Sequence, residues 1–205
     1  LAMSSQADRV TFYNCIFRSF QDTWMTATND AYRHYVKYCW IEGAVDYFYG
    51  GGDVLAEGCT FYNVRSGSII VAPCHKNAKW GYVFRNCIID GNEAAANVAR
   101  WGVKLGRPWH NSPKTVYIHT TMNIPISPEG WTNMGAIPAL FAEYDSRDAD
   151  GNVLNLEKLK TEYEGRGENA PKGNCRAVIT AEEADTYIYE NIITGTDQWN
   201  PRMII

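Results

Sequence analysis

The 205-residue chain has no run of 18 apolar residues, so it offers no transmembrane helix. Charge of one sign is also scarce. Its 19 Lys+Arg against 23 Asp+Glu leave a formal net charge of −4, without the basic excess that a nucleic-acid partner calls for. No Cys-x-x-Cys pair occurs, and His34, His75, His110 and His119 follow no ligand spacing, so neither a metal nor another cofactor is expected. Leu1-Ala2-Met3-Ser4-Ser5 lacks the basic and apolar regions of a signal peptide and reads like the interior of a gene product.

What is abundant is aromatic: 13 Tyr, 7 Trp and 7 Phe. Such rings can face the apolar sides of sugars, but most are expected to pack a core, and a chain of this length can bury one of good size in a single domain. Four of the six cysteines recur in similar settings: Phe12-Tyr13-Asn14-Cys15-Ile16, Val36-Lys37-Tyr38-Cys39-Trp40, Ala56-Glu57-Gly58-Cys59-Thr60 and Phe84-Arg85-Asn86-Cys87-Ile88. Their spacings are 39 − 15 = 24, 59 − 39 = 20 and 87 − 59 = 28 residues. An apolar residue lies three before each Cys, and the residue just before it is Asn, Tyr or Gly, a pattern of strand, sharp bend and strand.

Short strands repeating at such intervals predict a parallel β-helix, each repeat forming one rung. Cys15, Cys39, Cys59 and Cys87 then stack as an inward ladder of inert thiols, with disulfides as the alternative. Residues 116–122 are a candidate further rung. Residues 91–107 and 125–139 are expected to be loops walling a cleft, and 145–174 a polar stretch without the pattern. A helix is expected over 180–192, opened by a capping box at Thr180 and Glu183.

Three segments carry candidate chemistry: Gln21-Asp22-Thr23, Val45-Asp46-Tyr47-Phe48-Tyr49-Gly50 and Leu105-Gly106-Arg107-Pro108-Trp109. Together they supply an amide donor, two carboxylates, a guanidinium and a large ring, the parts of an ester hydrolase built on two aspartates. In this order they resemble the pectin methylesterases, whose motifs read roughly Gly-Tyr-Gln-Asp-Thr, Val-Asp-Phe-Ile-Phe-Gly and Leu-Gly-Arg-Pro-Trp. Pro128-Glu129-Gly130-Trp131, Phe141-Ala142-Glu143-Tyr144, residues 179–184 and Gln198-Trp199-Asn200-Pro201 extend the resemblance to about residue 201. The departures are Phe20 for Tyr, Tyr47 and Tyr49 for Phe, and Gly51-Gly52 for a small polar pair; none removes a reacting group.

The resemblance implies an all-β, right-handed parallel β-helix of the pectin lyase-like kind with long loops and a short C-terminal helix. It implies one catalytic domain over 1–205 that lacks its N-terminal rungs and the family's second oxyanion glutamine, for which Gln6 is out of register. Asp46 would be the nucleophile, ionised and oriented by Arg107; Asp22 the general acid and base with a raised pKa; and Gln21 an oxyanion donor. Trp109, Tyr49, Val45 and Met134 would contact the sugar. The implied substrate is methyl-esterified polygalacturonate, acted on outside the cytoplasm or in a periplasm, and the open coil end would favour self-association. Two other classes stay open: a lyase or glycoside hydrolase on the same scaffold, and a non-catalytic polysaccharide-binding fragment.

Overall fold

The repeats form rungs that stack in parallel. The structure, a computed structural model, describes residues 1–97 and 101–203. Each rung contributes a strand to three parallel sheets in turn. The first sheet stacks Met3–Ser4, Trp24–Met25, Val45–Gly50, Ile69–Pro73 and Lys104–Gly106; the second runs from Val10–Tyr13 to Leu140–Tyr144, and the third from Ile16–Arg18 to Arg147–Asp148. The chain is thus a parallel β-helix, as the Cys-centred repeat predicts. Lys114–Ile118 and Thr121–Met122 supply the further rung expected over 116–122.

The bend from second to third sheet falls where the repeat places it. Asn14, Tyr38, Gly58, Asn86, His119 and Asp145 stack there with φ of 52°, 54°, 60°, 50°, 52° and 47°. This left-handed backbone costs an ordinary residue about 1–2 kcal/mol and suits Asn, Asp and Gly best. The next residues point inward: Cys39, Cys59 and Cys87 are buried, Cys15 is half-buried, and Thr120 and Ser146 continue the column. All six cysteines are free thiols, so the ladder forms without disulfides.

Most of the aromatics are core. Rings of Phe12, Trp24, Phe48, Phe84, Tyr117, Trp131 and Phe141 touch in succession at centroid separations of 4.7–5.8 Å. Each such pair adds about 0.5–1.5 kcal/mol beyond its burial.

Two expectations need correction. Residues 145–174 are not merely polar: an antiparallel pair, Glu162–Glu164 with Lys172–Asn174, lies beside buried Leu159, Tyr163 and Cys175, which join the main core. The helix over 180–192 is broken. The capping box is present, but α-helix covers only Ala181–Ala184, and a wider turn forms later at Glu190–Thr194. The Arg85 guanidinium donates to the Ala184 and Tyr187 carbonyls, diverting them from a continuing helix. This segment lays Ile179, Ala184, Tyr189, Ile192 and Ile193 on Tyr35, Leu55, Val83 and Val116 of the second sheet. Burial on both faces explains why these strands read as continuous apolar runs.

The loop expected over 91–107 holds a one-turn helix at Glu93–Ala96 and the strand Lys104–Gly106. Its residues 98–100 lie outside the described residues.

Candidate active site

Gln21-Asp22-Thr23-Trp24 and Val45-Asp46-Tyr47-Phe48 enter the first sheet in register, with Gln21 opposite Val45 and Trp24 opposite Phe48. The offset 46 − 22 = 24 equals the 39 − 15 = 24 of the first two ladder cysteines, so both pairs mark one turn of the coil. Asp22 and Asp46 are therefore neighbours on adjacent rungs, where strands lie about 4.8 Å apart. Both adopt left-handed backbone, with φ of 54° and 49°.

On the following rung Ile69 pairs with Val45 and Val71 with Phe48, so Asp46-Tyr47 together oppose Ile70 alone. That extra residue is a β-bulge, a device that re-aims a side chain. It turns Tyr47 and Phe48 into the core and leaves the Asp46 carboxylate on the sheet's outer face, 6% exposed. Gly43 makes the turn possible, because a Cβ there would lie 2.3 Å from that of Tyr47.

Arg107 grips Asp46 at two points. Its Nε donates to Oδ1 at 2.8 Å and its NH2 nitrogen to Oδ2 at 2.6 Å. It stands two rungs away, and Ala72 is the residue at its register on the rung between, small enough to let the guanidinium pass over. Gly106 fixes that approach, since a Cβ would lie 2.3 Å from Val71. Such a fork-to-carboxylate pair fixes orientation as well as charge.

Among the described residues no cation is paired with Asp22 as Arg107 is with Asp46. Burial and the like charge of Asp46 push its carboxyl above the ordinary value, only partly offset by Arg107 and the N-terminal amine. Neighbouring carboxylates in diverging environments suit one to attack and the other to carry a proton. Gln21 is exposed on the same edge as Val45, which is half-buried.

The rings of Tyr49 and Trp109 meet edge to face with centroids 5.8 Å apart, both are half-buried, and Tyr49 lies within electrostatic reach of Asp22. Met134 is half-buried in a loop, where its carbonyl accepts from the Arg166 guanidinium. The structure thus brings Asp22, Asp46, Arg107, Gln21, Val45, Tyr49 and Trp109 to one sheet face, while Met134 comes from a separate loop.

A cleft of about 610 Å³ opens beside Arg107, lined by Arg65, Trp101, Lys104 and Thr132 among others. The two expected wall segments do contribute, through Trp101 and Thr132. Arg65 and Trp101 are not singled out by the sequence, because these walls come from inter-rung segments with no periodicity, and neither is Lys104, although it opens a first-sheet strand. The one available signal was Lys104, three residues before Arg107 at the start of the short strand that leads into it.

The pectinesterase family profile matches residues 1–155. The chain belongs to the pectinesterase family. Probable pectinesterase 50 of Arabidopsis thaliana is 36% identical over 164 residues, 77% of this chain and 42% of that protein. The pectin methylesterase from carrot superposes with a TM-score of 0.76 at 20% identity, covering 97% of this chain and 60% of its own, and shows the same fold. The deglycosylated pectin methylesterase of Aspergillus niger superposes at 0.70 with 26% identity, covering 94% of this chain and 56% of its own. The chain spans about half the length, or less, of the curated pectinesterases it matches.

Proposed function

We propose that this chain carries the active site of a pectinesterase, a carboxylic ester hydrolase that removes methyl esters from the C6 carboxyl of galacturonate units in pectin. The observation that carries the reading is Asp46 held at two points by Arg107, with Asp22 beside it in register and its carboxyl pushed up. Family membership supports it. Residues 1–205 are proposed to act as one catalytic unit.

In this mechanism an Asp46 oxygen attacks the ester carbonyl carbon and forms a tetrahedral oxyanion, to which the Gln21 side-chain amide donates a hydrogen bond. Collapse breaks the bond to the methoxy oxygen, Asp22 gives that oxygen its proton, and methanol leaves an anhydride between Asp46 and the sugar. Asp22, now ionised, takes a proton from water. The hydroxide attacks the sugar carbonyl, frees the Asp46 carboxylate and leaves galacturonate. Tyr49 and Trp109 offer ring surface to the sugar, with Val45 and Met134 as further contacts. No helix among the described residues is long and apolar enough to cross a membrane; action outside the cytoplasm is proposed with the substrate and is checked by cell fractionation.

Methanol release from esterified pectin by the unmodified chain and by Asp46→Asn tests the reading. Release by the first and its loss in the folded second supports it. New reducing ends or unsaturated products instead would point to a glycoside hydrolase or lyase, and binding without any product to a polysaccharide-binding fragment.

A further inference from the structure

The groove over the first sheet has two differently charged arms. On one side of the Asp46–Arg107 pair the 610 Å³ cleft includes Arg65 and Lys104 among its walls. On the far side of Trp109 a hollow of about 410 Å³ is lined by Met25, Thr28, Asp30, Cys74, Trp109, His110 and Asn111, with no Lys or Arg and one carboxylate among the described residues. Arg107 is committed to Asp46. Lys104 is not committed in the same way.

Lys104 lies at the register of Ile69, which itself pairs with Val45, so it continues the column Gln21–Val45–Ile69 along the edge of the reacting groups. Its side chain is 19% exposed, and its Nζ donates to the Ser127 hydroxyl, which fixes the ammonium in the wall. The only carboxylate paired with it among the described residues is Glu129, at 3.7 Å and 62% exposed. An ion pair so long and so wet contributes about 0–1 kcal/mol and is readily exchanged for another carboxylate.

We propose that Lys104 is a specificity-determining residue: it takes the free carboxylate of an already de-esterified uronate next to the ester presented to Asp46, and Glu129 is the placeholder that this carboxylate displaces. The inference rests on the pectinesterase reading for its substrate. A methyl ester carries no charge and cannot displace Glu129, whereas a uronate carboxylate can. The polymer is therefore oriented with its de-esterified side in the Lys104 arm and its esterified side over Trp109.

The test compares kcat/KM on pectins of low and high esterification for the unmodified chain, Lys104→Met and Glu129→Gln. Lys104→Met is expected to lower the low-to-high ratio by about tenfold, the size of one lost charge-assisted contact of about 1.4 kcal/mol. Glu129→Gln is expected to raise the same ratio, and this second variant decides the matter if Lys104→Met fails to fold. Unchanged ratios in the folded variants overturn the proposal. If no pectin yields methanol, the enzymatic reading fails and calorimetric binding of unesterified trigalacturonate decides the Lys104 inference alone. Weaker binding in Lys104→Met and tighter in Glu129→Gln would support it; equal binding in all three would overturn it.

Discussion

Two corners of the coil use the same backbone device for different ends. Between the second and third sheets, six stacked residues from Asn14 to Asp145 take left-handed backbone, and each turns a small Cys, Thr or Ser inward. On the first sheet, Asp22 and Asp46 are the non-glycine residues that do so among the described residues, and both keep carboxylates on the outside. The repeated corner spends its strain on closing the coil, and the amides there donate to the next rung, Asn86 to Ile118 for example at 3.0 Å. The twofold corner spends it on aiming charge, and Arg107 holds one of those charges from two rungs away. Backbone strain alone is therefore no mark of function; what marks it here is where the side chain points and what pairs with it.

The sharpest way to break this comparison is at Asp46. Asp46→Asn keeps shape and backbone preference but removes the proposed nucleophile, and methanol release should fall by at least about 10⁴-fold, as losses of nucleophiles do. A folded Asp46→Asn chain with near-normal turnover would make this corner as inert as the other. Next in size is Arg107→Lys. A single ammonium cannot reproduce the two contacts at 2.8 and 2.6 Å, so kcat/KM should drop about 10²-fold through misplacement of the carboxylate. A loss below threefold would move Arg107 from the chemistry to the scaffold.

At the repeated corner the expected effect is on stability. Asn86→Val puts a β-branched residue at φ 50° and should cost about 1–2 kcal/mol, or about 2–8 °C in Tm, while turnover per folded molecule stays unchanged. Asn86→Gly should be close to neutral. Equal Tm values for the Val and Gly variants would show that the bend is not set by backbone preference.

Asp22 sits between the two cases. Its folded pKa is raised by burial and by Asp46, so it favours folding when protonated, a contribution present below its unfolded value and lost as pH climbs through the folded one. Asp22→Asn carries no such dependence. Its Tm should therefore gain on that of the unmodified chain as pH rises from about 3 to 7, even as methanol release falls. A gain that shrinks with pH would mean that Asp22 is stabilised as an anion and is not the proton carrier.

Much of this was legible from local pattern. The Cys-centred repeat predicts the rungs, because a coil repeats its inward positions, and the three motifs predict Asp22, Asp46 and Arg107, because each is set within a few residues. Other motifs proved structural: Trp131 packs on Phe141, and Glu143 turns inward, where its Oε2 accepts from the Ser146 amide. The cleft walls at Arg65 and Trp101 were not legible, since loops between rungs meet only in three dimensions, and the strand residue Lys104 meets them only once the rungs are stacked. The helix at 180–192 was overread because a capping box fixes a start but not an end, and the end here depends on Arg85, remote in sequence.

The smallest expected effect is a null one, and it tests the inward column of the repeated corner. Cys39, Cys59 and Cys87 are at most 1% exposed, and the thiols of Cys59 and Cys87 donate to the carbonyls of Val36 and Ala56 on adjacent rungs. Burial together with thiol-to-thiol contact in the stack pushes Cys39 and Cys59 away from the reactive thiolate form. A thiol reagent should leave these three unmodified until denaturant is added, with Cys15, half-buried at the end of the column, labelled first. Reductant should leave Tm unchanged, because the stack is held by packing rather than by bonds. Prompt labelling of Cys59 in the folded chain would show that the rungs part readily at the corner credited with closing the coil, and the contrast with the Asp22–Asp46 corner would have to be drawn in dynamics instead of in side-chain direction.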